Sequence, residues 1–414
     1  MLILKWSDYL LYQKILFILV LALPIGLLVS TGVSEIIVIF STLIFLTYSI
    51  IHNNFKWINN KYFYLLIVFW LSLLINFFFS ENKELSLVRS FGFIKYIIYI
   101  FAIKFALDNN KNRSILFLFL LIITLLIIFD INFEYINKKN ILGLQSSDPT
   151  RIASFLGKEL KIAHFLLGFG MISIGYYFQK FNKKSLRFTI IGYTITLFLL
   201  ISIFLTGERA NSIKGFICIL IFIIITNNNL RLKKIFILIL IISPIVIYFN
   251  SDRIKSRYDQ YLSSQNSNTN LLETYKNSHH AAHYYTAFQI FKSYPFFGVG
   301  NKNFREECLN EKYNNKSYKR IGERCSTHPH QIYLELLSEH GIIGTVIILF
   351  VLFCTIFLSS CNFYKKRNLI QLGAILYITS IFLPLIPSGS FFTSFGATIF
   401  WFNYAIMLFY NDYK

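Results

Sequence analysis

The 414-residue chain is 55% apolar and 18% aromatic, and only 14% of its residues are charged. Soluble domains carry about 25% charged residues, so this composition excludes an ordinary soluble protein. The formal net charge of +20 would suit nucleic acid, but the Lys and Arg residues lie in short clusters between apolar segments. That distribution is typical of membrane-protein loops, so we expect no nucleic-acid partner.

Runs of roughly 20 apolar residues predict bilayer-spanning helices. The chain contains twelve of them, at residues 10–30, 34–51, 62–80, 90–107, 114–132, 161–179, 188–206, 210–227, 234–250, 331–361, 368–387 and 394–411. We interpret the first as a retained helix rather than a signal peptide, because it has no small-residue cleavage site. The predicted fold class is an all-α polytopic membrane protein with about 12 transmembrane helices.

The basic clusters predict how these helices are oriented. Connections on one side carry the clusters, and with the chain ends they hold 18 Lys and Arg against three Asp. The positive-inside rule places that side, and both termini, in the cytoplasm. The outer side then receives residues 80–89, 133–160, 207–209, 251–330 and 388–393. The chain thus divides into helices 1–9 (1–250), one long outer loop between helices 9 and 10 (251–330), and helices 10–12 (331–414).

The long outer loop contains its own structural signals. Apolar spacing predicts an amphipathic helix at about 278–293, lying against the membrane, and the Pro and Gly residues of 295–300 end it in a sharp turn. Cys308 and Cys325 also lie in this loop, and in an oxidising compartment they would form a disulfide that closes an 18-residue loop. The alternative is metal binding by the two thiols together with His328.

His330 lies where the loop meets the tenth apolar segment. If residues 330–344 form one helix, steps of about 100° per residue place Gly341 and Gly344 on the same face as His330. The helix would then carry a His at its outer mouth and two small residues below it, where another helix can approach closely. The alternative is a surface His on a loop beside a packing groove.

Three arginines are predicted on the same outer side. Arg209 lies in a short turn between two spans, where its guanidinium can face an anion; the alternative is local pairing with Glu208. Arg151 and Glu159 flank a Phe-Leu-Gly sequence, and Arg305 lies in the disulfide-forming part of the loop. Arg residues near helix ends also extend to the membrane interface without any function, so both interpretations stay open.

Common cofactor motifs do not occur in the sequence. There is no P-loop, no Gly-rich dinucleotide motif, no His-Glu-x-x-His and no nucleotide-sugar motif. His279, His280 and His283 have a helical spacing that suits a metal, but no carboxylate partner is evident. We therefore expect neither metal nor cofactor. His328 and Glu339 are further site candidates, Glu339 because it is ionisable on an apolar helix.

An ordered set of motifs resembles the O-antigen ligase and polymerase superfamily. The signature of that family is His followed by Asn, Ser or Gln, a nine-residue spacer and Gly-x-x-Gly. Here His-Gln at 330–331 and Gly-Ile-Ile-Gly at 341–344 are similar to it. Three further segments occur in the same order as in the family. Residues 151–160 resemble its Arg–Phe–Gly segment, residues 205–210 resemble its Thr-Gly-Ser-Arg turn, and residues 295–300 resemble its Pro-x-x-Gly-x-Gly element.

The resemblance implies metal-independent glycosyl transfer at the periplasmic face of a bacterial inner membrane, with the long outer loop in the periplasm. The donor would be a glycan on undecaprenyl pyrophosphate, and membrane lipids would surround the protein. The acceptor would be a lipid A–core sugar hydroxyl for a ligase, or another lipid-linked repeat for a polymerase. Pro-His-Gln at 329–331 slightly favours the ligase. A transporter of lipid-linked sugar is a more distant alternative, which would need matching broken helices in both halves.

The resemblance also implies roles for individual residues. His330 would position or deprotonate the acceptor hydroxyl, since imidazole titrates near neutral pH. Arg209, together with Arg151 and Arg305, would hold the pyrophosphate, because guanidinium groups bind phosphate bidentately. Glu208 departs from the family pattern, since many relatives have Ser there, and it is expected to change the electrostatics of the turn.

Overall fold

The computed structural model describes residues 2–181, 185–226, 230–262 and 276–412. Throughout these ranges the regular structure is helical and no β-strand occurs, which confirms the all-α prediction. The long helices are α1 (Leu2–Val29), α2 (Thr31–Ile51), α3 (Lys61–Phe78), α4 (Lys83–Gly92), α5 (Ile94–Ala106), α6 (Asn110–Asn137), α7 (Ile162–Phe181), α8 (Leu186–Leu205), α9 (Arg209–Ile225), α10 (Leu230–Asn250), α11 (Asp252–Leu262), α12 (His279–Ser293), α13 (Ile332–Lys366), α14 (Leu369–Ile381) and α15 (Ser394–Asp412).

Each of the twelve predicted apolar segments overlaps one of these helices, the fourth being divided into α4 and α5. Within the described ranges, nine helical segments are long and apolar enough to cross a membrane, with α4 and α5 counted together. Among the helices that overlap predicted spans, those outside that set are α9, α14 and α15, of which α9 has 17 residues and α14 has 13. A count of twelve spans therefore stays a prediction.

Helix α7 forms the centre of the bundle, with 89% of its most apolar stretch buried, whereas α10 has 11% buried. Small residues let α7 and α14 approach closely, as expected for membrane helices. A Cβ on Gly175 would lie 2.4 Å from the Leu369 carbonyl oxygen, and one on Gly373 would lie 2.2 Å from that of Met171. The outward apolar side chains of α10 are accordingly left to face lipid.

The two predicted sets of connections collect at opposite ends of the bundle. Outer connections are joined by backbone hydrogen bonds from Ile152 to Thr206 (3.2 Å), from Ser388 to His330 (2.9 Å) and from Glu81 to Val299 (3.0 Å). Inner connections are joined by the Lys104–Asp412 ion pair, by Asn60 Nδ2 donating to Asp412 (3.0 Å) and by Leu369 N–H donating to Gln179 (2.9 Å). This grouping agrees with the alternation that the charge pattern predicts.

Two features of the long loop are confirmed. Cys308 and Cys325 form the disulfide, with Cα atoms 5.3 Å apart, and α12 covers 279–293, with the Ser278 hydroxyl accepting from the Ala281 N–H (3.1 Å). Phe288 of α12 is 42% exposed. Ala and His side chains of α12 turn toward α13, since small residues allow the two helices to approach closely.

The prediction of one continuous helix from His330 is wrong. Residue 330 has φ 61° and precedes the helix, whose N-cap is Gln331. Helix α13 is then interrupted at Gly341, which has φ 62° and ψ −171°. His330, Gly341 and Gly344 therefore do not share one helical face, and Gly344 contacts the side chain of His340 within its own helix.

The interruption accommodates the turn at residues 295–300. In one direction, the N–H groups of Ile342 and Ile343 donate to the carbonyls of Pro295 (2.8 Å) and Phe296 (3.2 Å). In the other direction, the N–H groups of Val299 and Gly300 donate to the carbonyls of Ser338 (3.0 Å) and Glu339 (2.9 Å). The turn thus satisfies the backbone groups that the broken helix leaves unpaired. Two motifs that are separate in the sequence form one structural unit.

Glycine is required on both sides of this contact. A Cβ on Gly341 would lie 2.3 Å from the Phe296 carbonyl oxygen, and one on Gly298 would lie 2.4 Å from the Glu339 carbonyl carbon. Both residues have positive φ, where side chains are strained. Asn76 of α3 fixes the unit by donating its Nδ2 to the carbonyls of Phe297 (2.6 Å) and Glu339 (2.9 Å).

Gly341→Ala is expected to destabilise the folded protein by about 2 kcal/mol or more, because the methyl group collides with the backbone at a strained φ. The measurement is the thermal unfolding midpoint of the protein in detergent. Gly322→Ala is the matched control, since its Cβ would meet no atom within 4 Å. Equal midpoints for the two variants would contradict this account of the interruption.

Candidate active site

A cavity of about 680 Å³ lies at the end of the bundle where the predicted outer connections meet. Its walls come from α4, the 151–164 stretch, the turn between α8 and α9, residues 328–330 and the 387–396 segment. This volume falls within the range of small-molecule sites, which is about 300–1,000 Å³. Residues up to 369 positions apart in the chain, Thr31 and Phe400, thus converge on one space.

Positive charge dominates the polar part of the wall. The cationic residues that line the cavity are Arg89, Arg151, Lys161 and Lys214, whereas the one acidic residue that lines it within the described chain is Glu208. Lys214 is only 3% exposed. Several cations with low exposure to water favour an anionic ligand, because their mutual repulsion and lost hydration are offset by an anion.

The other part of the wall is apolar. Ile381, Phe391, Phe395 and Phe400 line it, alongside the cationic residues. Lys161 joins the two parts, since its ammonium lies 4.3 Å from the centre of the Phe395 ring. An amphipathic wall of this kind suits a ligand that combines a charged group with a hydrocarbon chain.

Arg151 is held by its neighbours and keeps part of its guanidinium unpaired. Its Nη2 donates to the Leu160 carbonyl (2.7 Å), and its own carbonyl accepts from Arg253 Nη2 (2.6 Å). The Arg151 Nε is buried without a hydrogen-bond partner among the described residues. Burial also lowers the pKa of Arg151. An anion in the cavity would satisfy the free donor and offset that cost.

The turn between α8 and α9 places a carboxylate in the cavity. Gly207 has φ 71°, so the turn needs glycine there. Glu208 accepts from the Ala163 N–H at the start of α7 (2.8 Å) and from Asn211 Nδ2 (2.7 Å). Burial raises the pKa of Glu208 to about 7, despite these hydrogen bonds and the nearby Arg151. The residue by which this chain departs from the family is thus an N-terminal cap for α7.

Arg209 and Arg305 lie near the cavity but do not line it. Arg209 is the first residue of α9, is half-buried, and its charge helps to lower the pKa values of His279 and His280. Arg305 Nη2 points to the Thr327 carbonyl at 3.4 Å. Both cations therefore act on the histidines of the site and also on its cavity arginines, Arg209 on Arg151 and Arg305 on Arg89.

Glu159 and Glu339 have partners elsewhere. Glu159 forms an ion pair with Lys161 and is largely exposed. The buried Glu339 carboxylate accepts from the N–H groups of Lys302 (2.9 Å) and Phe304 (3.2 Å). Glu339 thus fixes the residues that follow the 295–300 turn, which is a role in the fold rather than in the cavity.

His330 lies in the cavity wall in a constrained backbone conformation. Its carbonyl accepts from the Ser388 N–H (2.9 Å) and faces the Tyr284 hydroxyl (3.4 Å). The next residue, Gln331, caps α13 by accepting from the Leu334 N–H (2.8 Å). The side-chain oxygen of Asn or Ser would cap in the same way. The His-Asn/Ser/Gln signature therefore combines a site residue with the start of its helix.

A second imidazole, that of His328, lies 4.2 Å from the His330 ring, centre to centre. Thr327 Oγ1 pairs with His328 Nδ1 (2.9 Å), whereas Nε2 is buried without a partner in the described structure. Burial, followed by the neighbouring imidazoles, lowers the pKa of His330 to about 3. Burial also lowers the pKa of His328 to about 4, although the Ser388 backbone opposes this shift. Both rings are therefore neutral at pH 7, so each has one nitrogen that can accept a proton or hydrogen bond.

Sequence reasoning missed part of this wall. It did not single out Lys161 or Lys214, although a lysine inside an apolar helix is itself a signal of function. It also missed Glu335, whose carboxylate accepts from the Ser390 hydroxyl and from the Phe391 N–H (3.0 Å). Glu335 lies one turn after the helix start, so it holds the 387–396 wall against His330.

Comparison with known families agrees with the motifs. Residues 194–349 match the family model described as O-antigen ligase. The matched region contains Arg209, the 295–300 turn, His330 and the Gly-x-x-Gly sequence, whereas Arg151 lies outside it. A comparison with curated proteins found no matching relative.

The buried Glu208 predicts a pH dependence of stability. Its pKa in the folded state, about 7, is above the ordinary value of 4.5. Such a group stabilises the folded state below pH about 4.5, and this contribution is lost as the pH rises through about 7. Glu208→Gln stays neutral, so the excess of its unfolding midpoint over that of the wild type should grow from pH 5 to about 7 and stay constant at higher pH. Parallel curves for both proteins over pH 5–8.5 would show that Glu208 does not titrate this way.

Proposed function

We propose that the chain, whose residues 194–349 match the O-antigen ligase family model, is a ligase-like glycosyltransferase of the O-antigen ligase and polymerase superfamily. It transfers a glycan from undecaprenyl pyrophosphate to a lipid A–core sugar hydroxyl. The observation that supports this best is the cavity, in which four cations, a neutral His330 and an apolar wall face the same space. The family match itself supports a ligase- or polymerase-like activity.

The proposed location is a bacterial inner membrane, with the cavity at the periplasmic face and both termini in the cytoplasm. Two observations support this orientation. The basic connections lie at the end of the bundle opposite to the cavity, as the positive-inside rule requires. The Cys308–Cys325 disulfide lies near the cavity end, which suits an oxidising compartment.

The donor pyrophosphate binds, in this proposal, among the cations that line the cavity. Arg151 provides an unpaired guanidinium nitrogen, and Arg89, Lys161 and Lys214 add charge. The polyprenyl chain leaves along the apolar wall. As the bond from sugar to phosphate breaks, negative charge grows on the leaving pyrophosphate, and fixed cations stabilise it. Arg209 and Arg305 contribute at longer range from the histidine side.

The acceptor hydroxyl binds at His330. Its oxygen attacks the anomeric carbon and forms the new glycosidic bond, while undecaprenyl pyrophosphate departs with the electrons of the bond that breaks. The hydroxyl proton passes to the unprotonated nitrogen of His330. Side-chain cations supply the positive charge in this scheme, so it includes no metal step.

His330→Asn is expected to lower glycan transfer by about 100-fold or more, since general base catalysis contributes 10²–10⁴-fold. Transfer is measured in membranes supplied with lipid-linked glycan donor and a lipid acceptor. His52→Gln, at the opposite end of the bundle, is the control and should keep the wild-type rate. Wild-type transfer by the His330 variant would remove this residue from the chemistry.

Arg151→Lys should lose most transfer activity, because an ammonium replaces the unpaired guanidinium donor without its planar geometry. Lys214→Met should raise the KM for donor, since it removes one cation from the buried wall. Arg367→Lys, beyond the far end of α13, serves as the matched control. If both cavity variants bind and transfer donor like the control, the pyrophosphate lies elsewhere.

Deletion in the native host separates a ligase from a polymerase. Without a ligase, surface polysaccharide is absent and lipid-linked polymer accumulates. Without a polymerase, each surface lipid carries a single repeat unit. Gel analysis of surface lipids, together with extraction of the lipid-linked pool, distinguishes the two outcomes, and a single-repeat pattern would contradict the ligase proposal.

A further inference from the structure

Five histidines form a row that runs from the cavity to the outer surface of α12. His328 and His330 line the cavity, whereas His279, His280 and His283 lie on the first turns of α12, on the far side of His330. His279 is half-buried, so the row reaches water at that end. No step of the reaction described above uses the three α12 histidines.

Neighbouring rings of the row lie close to one another. The centre-to-centre distances are 4.2 Å for His328–His330, 5.2 Å for His283–His330, 5.8 Å for His280–His330, 5.9 Å for His279–His283 and 4.1 Å for His279–His280. His283 and His330 are also nearly parallel, at 30°. His330 therefore contacts both the cavity and the α12 histidines.

Buried nitrogen atoms along the row lack partners. Nδ1 of His280, Nδ1 of His283 and Nε2 of His328 have no hydrogen bond in the described structure, although His283 is 5% and His328 is 8% exposed. Buried polar atoms are normally satisfied, so bridging water or a migrating proton is the expected partner. A metal is not, because the described chain contains no cluster of three or more His, Cys, Asp or Glu side chains arranged to hold one.

We propose that His283 and His280 carry the acceptor proton away from His330 to the surface at His279. The inference rests on the proposed glycosyl transfer. His330 accepts the hydroxyl proton on one nitrogen and releases a proton from its other nitrogen, through a bridging water, to His283 or His280. Each following imidazole does the same, and the proton reaches water at His279. The donor's electron pair leaves with the pyrophosphate, so charge and atoms balance.

The environment of the row explains why the proton must move on. Burial disfavours an imidazolium at His330 and lowers its pKa to about 3, and it lowers that of His280 to about 3 as well. A proton that stayed on His330 would therefore return to the acceptor oxygen. Neutral imidazoles can pass it along, because each both accepts and donates.

Cations act on both ends of the row. Arg89 and Arg305 act on His328 at the cavity end, and Arg320 and Arg209 act on His279 at the outer end. Glu323, which is paired with Arg320, favours the protonated forms of His279 and His283. Access to water at the half-buried His279, rather than the surrounding charge, therefore gives the row its outward direction.

The test compares His283→Gln and His280→Gln with wild type in the membrane transfer assay. Glutamine keeps hydrogen bonding but cannot pass a proton. We expect kcat to fall about tenfold or more in at least the His283 variant, with KM for donor unchanged, and added imidazole to restore part of the rate. Imidazole should not accelerate wild type or the His52→Gln control.

The outcomes are separable. A wild-type protein without transfer activity overturns the proposed function and the relay with it. An active wild type whose two variants keep its kcat overturns the relay alone. A fall in kcat that imidazole does not restore, accompanied by a higher KM for donor or less folded protein, assigns the α12 histidines to packing and likewise overturns it.

Discussion

Four backbone hydrogen bonds join the 295–300 turn to the two parts of α13, and they exist because neither Gly298 nor Gly341 carries a side chain. Without them the interrupted helix would leave buried N–H and C=O groups unpaired, at a cost of about 1–3 kcal/mol each. The rest of the cavity wall depends on this contact between the 295–300 turn and α13. It fixes the direction of the first turns of α13, from which Glu335 and Glu339 hold the neighbouring segments.

Cationic and neutral ionisable side chains lie on different sides of the site. Cations gather on the α4, 151–161 and α9 side, where Lys214 is almost fully buried. Neutral imidazoles gather on the α12 and 328–330 side, because burial lowers their pKa values. A leaving group that gains negative charge and a nucleophile that loses a proton need these two environments. In the proposed reaction the anomeric carbon lies between them.

The fold class, the helix pattern, the disulfide and the α12 helix could be predicted from the sequence, because each depends on local composition or on two cysteines in one loop. The shape of the site could not. Helical periodicity placed His330 and Gly341 on one face, since nothing local reveals that residues 295–300 enter the helix from about 40 residues earlier. The position of Arg209 off the wall, and of Lys214 on it, depends likewise on how α9 packs against α7 and α14.

The interruption at Gly341 also solves a problem of length. Helix α13 has 35 residues, and at about 1.5 Å per residue it would measure about 52 Å, far more than the roughly 30 Å hydrocarbon layer. The apolar part after Gly341 is by itself long enough to span, with modest tilt. The preceding part contains Glu335, Glu339 and His340, all buried in protein. Hydrophobic mismatch is therefore resolved by a change of direction, and the ionisable residues of the site stay out of lipid.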